Sequence, residues 1–129
     1  MGLIASTATL ECGLYEHAFR KHDKKFLIRP GEDVQESNVM AAIYGSDGVK
    51  SGHKTRPRAL LMEAAQSLIK QGAELIIAAC TEVSVVMNSA NSPFPIVDPL
   101  EVIARVAVRM ATHGTTETPY LIASASGQN

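Results

Sequence analysis

The sequence predicts a small α/β domain: a doubly wound, mostly parallel sheet of about four strands with helices on both faces. Short apolar runs at residues 2–5, 75–79 and 94–97 are hydrophobic without alternation, which suits strands buried on both faces. Segments of helical spacing lie between them, as in β-α-β units. The chain has 129 residues, 46% hydrophobic and 19% charged, the size and composition of one globular domain. At this length folding buries about two-thirds of the unfolded surface, enough for a core without covalent staples.

After the first strand, Leu10, Leu14 and Ala18 stand four apart and predict a helix over residues 10–21. Residues 25–28 are a weaker, fourth strand candidate, stopped by Pro30-Gly31. Val39, Met40 and Ile43 share one face of a helix expected over 33–44. Leu61, Ala64, Ala65 and Leu68 do the same for 58–71, and Gly72 supplies its stop. The last helix opens on Asp98-Pro99-Leu100-Glu101, with a capping Asp, Pro in the first turn and Glu three residues after the cap.

That last helix is unusual. Between residues 100 and 111 its polar positions are Glu101, Arg105 and Arg109, while Val102, Ile103, Val106, Ala107, Val108 and Met110 are apolar. One narrow polar stripe means burial on more than one side, and a four-stranded sheet covers only one. A second covering surface is therefore expected, for which a homodimer is the usual solution. The expected organisation is an α/β domain over residues 1–112 and an irregular tail over 113–129, rich in Thr, Ser, Gly and Ala.

Twelve basic residues against 13 acidic ones give a net charge of −1, without the cationic face that nucleic acid or an anionic membrane requires. No apolar run approaches the ~18 residues of a membrane span. Residues 1–5 lack the charged and apolar regions of a signal peptide, so the two cysteines read as reduced thiols in the cytoplasm.

Three stretches hold residues that suit chemistry. Cys80-Thr81-Glu82 follows a predicted buried strand, and ligands of parallel sheets sit at the carboxyl ends of strands. Cys80 is either a reactive thiol or a packed small hydrophobe. Ser6-Thr7-Ala8-Thr9 lies between a strand and a helix, where hydroxyls and free N–H groups either cradle an anion or simply cap the helix. Residues 45–53 form a glycine-punctuated loop containing Lys50. It is not a P-loop, because G-x-x-x-x-G-K-[ST] is absent. A phosphatase-type Cys-x5-Arg fails at Val86, and His17, His22, His53 and His113 lack metal-ligand spacing, so no metal is assigned.

The segments in sequence resemble the aspartate/glutamate racemase family of cofactor-independent amino-acid racemases. The resemblance rests on residues 2–9, Gly13-Leu14-Tyr15, residues 39–44 with 48–52, Gly72-Ala73-Glu74, residues 79–83 and Ile96-Val97-Asp98-Pro99. It covers the family's C-terminal half. Family members have two similar α/β domains, each giving one catalytic Cys to a site between them, and the Cys-Asn-Thr segment of the first half is absent. The resemblance implies an isomerase needing no cofactor, acting on a small amino acid or dicarboxylate. Inversion removes the α-proton from one face and returns one to the other, so two acid/base groups are needed. A thiol suits the work because neighbours can lower its ordinary pKa of about 8.5.

By resemblance Cys80 is one of the two bases. Ser6, Thr7, Thr9 and Thr81 hold the substrate carboxylate or amine, Lys50 pairs with a carboxylate, and Glu82 supports the thiol. Ser-Thr-Ala-Thr stands where the family commonly has Thr-Thr-Gly-Thr, so Ala8 is expected to alter the loop backbone. Cys12 is expected to be a packed small residue. Other readings stay open: a decarboxylase or cis-trans isomerase of the same superfamily, or a non-catalytic flavodoxin-like module that binds an anion or a partner.

Overall fold

Residues 1–21 and 27–113 are described by a computed structural model. Strand β1 (Gly2–Ile4) runs parallel to β2 (Ile76–Ala78), which runs parallel to β3 (Ile96–Val97), in the order β1-β2-β3. The fourth strand shrinks to a bridge: Ile28 lies beside Gly2, and its N–H donates to the Met1 carbonyl at 2.9 Å. Pro30 has no N–H to continue such a ladder, which limits pairing to this one point. The first part of the expected strand, and the tail beyond residue 113, lie outside the described residues.

Successive residues of β1 face opposite ways and meet different helices, so the strand is apolar throughout. Ile4, Ile76 and Ala78 join Val39, Ile43, Leu61 and Leu68 in one core, while Leu3, Ala5 and Ile77 join Leu10 in a second, with Tyr15 and Phe19 packed against it. Helices thus cover both faces of the sheet.

The first predicted helix is two: α1 (Thr7–Cys12) and α2 (Leu14–Lys21). Gly13 separates them at φ 65°, a left-handed cap that only glycine adopts without cost. The helix expected over 33–44 is interrupted too. Turns α3 (Glu32–Val34) and α4 (Ala41–Tyr44) flank a wider π-helical segment, Gln35–Met40, where Ser37 Oγ donates to the Asp33 carbonyl. Helix α5 (Thr55–Lys70) starts three residues earlier than its spacing suggests, because Pro57 fits a first turn. A short helix, α6 (Thr81–Val86), follows β2 and was not expected from the sequence.

Helix α7 (Pro99–His113) begins as predicted: the Leu100 N–H donates to Asp98 Oδ1 at 2.9 Å. Its packing corrects the expectation that the sheet covers one side. Every residue from 100 to 112 is exposed, including Ile103 and Val108 at 63% each. The sheet is three strands wide and already occupied on both faces, so it has no free face to offer. Among the described residues no helix is long and apolar enough to cross a membrane.

Candidate active site

Parallel register decides which residues meet. Ile4 pairs with Ala78, and the Ala79 N–H donates to the Ile4 carbonyl at 2.8 Å, so β1 and β2 end level. Two residues further on, Ser6 and Cys80 come out side by side at the same end of the sheet. Each then caps a helix. Ser6 Oγ accepts the Thr9 N–H at 3.4 Å and shares a 3.0 Å hydrogen bond with the Thr9 hydroxyl, while Cys80 occupies the cap position of α6.

The thiol is half-buried and donates to Glu82 Oε2 at 2.9 Å. The Thr81 hydroxyl donates to the same oxygen at 2.7 Å, and Lys50 Nζ lies 3.1 Å from Oε1. These donors hold the Glu82 carboxyl down to about 2, the Cys80 and Thr81 hydrogen bonds contributing most. Burial pushes the Cys80 thiol up, and the carboxylate that accepts its proton pushes the same way. This corrects the expectation of a lowered thiol pKa. The neighbour touching the sulfur is an anion, and the Lys50 ammonium pairs with that anion rather than with the sulfur. The hydrogen bond to Glu82 and the Glu82 charge raise Lys50 in turn.

Lys50 comes from the glycine-punctuated loop, which is built rather than slack. A Cβ on Gly45 would sit 2.4 Å from the Ala41 carbonyl oxygen, and one on Gly48 would sit 2.9 Å from Gly45 backbone atoms. The chain folds into a 3-10 turn, Val49–Ser51, that aims Lys50 at Glu82.

The sequence matches the Asp/Glu/hydantoin racemase family over residues 1–107. The chain belongs to that family. It is 30% identical over 118 residues to an uncharacterized protein from the pnlA 3′ region of Pectobacterium carotovorum subsp. carotovorum, covering 89% of this chain and 75% of that one. A crystal structure of a candidate Asp/Glu racemase from Yersinia pestis superposes with a TM-score of 0.70 at 25% identity, over 85% of this chain and 47% of the other. The aspartate racemase of Picrophilus torridus shares the fold, with a TM-score of 0.59 at 19% identity over 91% and 46% of the two chains. The chain therefore spans just under half the length of both solved structures.

In this racemase-family chain the fold gathers Cys80, Thr81, Glu82 and Lys50 into one hydrogen-bonded cluster and sets Ser6 beside it. Thr9 stays hydrogen-bonded to Ser6, whereas Thr7 is turned to other partners. The Thr7 hydroxyl accepts from Gln35 Nε2 at 3.3 Å and donates to Glu36 at 3.4 Å, and its N–H reaches Met40 Sδ at 3.4 Å. Ala8 falls inside α1, so the substitution for glycine needs no unusual backbone. Cys12 is exposed, not packed as expected, and its thiol donates to the Thr9 carbonyl at 3.1 Å. Among the described residues no group of three or more His, Cys, Asp or Glu could hold a metal ion.

Sequence reasoning missed Gln35. It is buried, donates to the Ala5 carbonyl at 3.0 Å, and ties the π-helical segment to the first strand end, leaving its own Oε1 without a hydrogen-bond partner. A lone Gln in a helical stretch gave no signal.

The coupling between Glu82 and the thiol has a measurable consequence. Alkylation of Cys80 by iodoacetamide, resolved from Cys12 by peptide mass spectrometry, should titrate above the range of an ordinary cysteine. In Glu82→Gln the charge that disfavours the thiolate is gone and Lys50 is released, so the midpoint should move down while burial still holds it up. An unchanged midpoint would show that Glu82 does not control the thiol.

Proposed function

We propose that this chain is one catalytic half of a cofactor-independent amino-acid racemase of the aspartate/glutamate type, acting in the cytoplasm with Cys80 as one of two acid/base groups. The observation that carries the reading is the Cys80 thiol at the carboxyl end of β2, hydrogen-bonded to Glu82 and beside Ser6. A two-base racemase needs a proton donor on one face of the α-carbon and an acceptor on the other. Cys80, held as a thiol, suits the donor for one direction. In the reverse direction its thiolate takes the α-proton. Lys50 pairs with a substrate carboxylate, Thr81 and Ser6 supply further donors, and Thr7 and Thr9 line the first turn of α1 beside them. These donors also stabilise the charge that spreads into the carboxylate as the α-proton leaves.

One acid/base group can remove and return a proton on the same face, whereas inversion needs two. The test is therefore deuterium exchange at Cα of aspartate and glutamate in D2O, alongside optical rotation. Exchange that rises with pH through the Cys80 titration, and outpaces inversion, is the expected result. No exchange into either amino acid would overturn the reading.

The second group is supplied in this proposal by another α/β half, packed on α7. Val102, Val106 and Met110 are exposed along it, and burying each such side chain is worth about 1.5–3 kcal/mol. A homodimer is the usual outcome for one chain alone. Light scattering over a dilution series should show reversible association, weakened in Val106→Asp. A monomer at every concentration would rule the pairing out.

A further inference from the structure

The cluster at Glu82 has one member that neither the family resemblance nor the site reading above puts to use. Tyr44, the last residue of α4, is 56% exposed, although a large aromatic ring gains by burial. The Lys50 ammonium lies 5.1 Å from the centre of its ring, within the range of a cation–π contact. Tyr44 and Lys50 are joined by the loop whose backbone contacts at Gly45 and Gly48 exclude any larger residue, so the main chain fixes where the two side chains start. The same ammonium also meets Glu82 at 3.1 Å.

We infer that Tyr44 is a positioning residue: its ring holds Lys50 in place, so that the ammonium can receive a substrate carboxylate next to Cys80. This rests on the proposed racemase reading, in which Lys50 is the carboxylate anchor. A lysine ammonium has three donors on a flexible four-carbon stem, and by itself it fixes neither distance nor direction. Glu82 takes one donor and orients one side. The face of Tyr44 attracts the cation without consuming a donor, because a ring quadrupole acts on the charge. N–H groups remain for an incoming carboxylate. The ligand class this fits is a dicarboxylate or an acidic amino acid, with one carboxylate at Lys50 and the carbon to be deprotonated near the thiol. The phenolic hydroxyl has no part in the argument; the ring does.

The experiment uses succinate, a dicarboxylate with no amino group, as the probe. Its protection of Cys80 from iodoacetamide is measured on the 129-residue protein by peptide mass spectrometry, for the wild type, Tyr44→Leu and Tyr44→Phe. Exposed cation–π contacts correspond to about a two- to fivefold change in an equilibrium. Tyr44→Leu should therefore need about two- to fivefold more succinate for half-protection, and Tyr44→Phe should match the wild type. An exposed position keeps both variants folded, which circular dichroism checks. Equal protection in the wild type and Tyr44→Leu would overturn the role of the ring. A loss shared by Tyr44→Phe would assign the effect to the hydroxyl and overturn it as well. If succinate gives no protection in the wild type, the carboxylate-binding reading of Lys50 fails, and the inference falls with it.

Discussion

Cys80→Ser should abolish α-proton exchange at aspartate and glutamate while the fold stays intact. Serine preserves the size of the side chain and can still donate to Glu82, so the half-buried position and the cap of α6 have no reason to change. What disappears is acidity. An alcohol gives up its proton far less readily than a thiol, and Glu82, held down to about 2, is a poor base to assist it. General acid/base groups commonly contribute about 10²–10⁴-fold, so the loss should be at least about a hundredfold. Deuterium incorporation followed by mass spectrometry measures it, with circular dichroism as the check on folding. Wild-type exchange in the variant would remove Cys80 from the chemistry.

Leu61→Ala should cost about 2–5 kcal/mol of folding stability, out of the 5–15 kcal/mol typical of a domain. Leu61 is fully buried on α5, in the core that also holds Ile43, Leu68, Ile76 and Val83. Truncation loses the transfer energy of its buried methyl groups and leaves a cavity between elements that cannot all close on it. The same core sets the relative placement of α4, which carries Tyr44, and α6, which carries Glu82, so the variant tests stability and site geometry together. Urea denaturation gives the change in midpoint. A loss below about 1 kcal/mol would mean that the site relaxes around the smaller side chain.

Much of the fold could be read from local pattern because burial on both faces leaves a clear trace. The runs that contain Gly2–Ile4, Ile76–Ala78 and Ile96–Val97 are apolar without alternation, and all three became parallel strands. Cys80 stands out as a candidate for the same reason: it directly follows such a run. Where the pattern misled, a competing local cause had the upper hand. Gly13 splits a stretch whose apolar spacing runs straight through it, and the cap was visible in the residue although the period hid it. Helix α6 carries Val83, Val85 and Val86, which favour strands. It forms because Val83 and Val86 are buried against the core, and no six-residue window reports that. The raised thiol pKa was out of reach of the sequence. It comes first from the burial of the thiol and then from its hydrogen bond to Glu82, both set by how β2 and α6 pack rather than by local pattern.

The level ends of β1 and β2 carry a consequence for how this site can change over time. The spacing between Ser6 and Cys80 is set by a hydrogen-bonded ladder, and a ladder moves only in whole steps. A slip of one residue would turn every core side chain of the strand toward the wrong face. A slip of two would restore the faces but separate the pair by about 6.6 Å along the strands. No intermediate setting exists. Mutation can therefore alter what the two strand ends carry, and substrate preference can drift with it, but the distance between them is quantised and inherited unchanged.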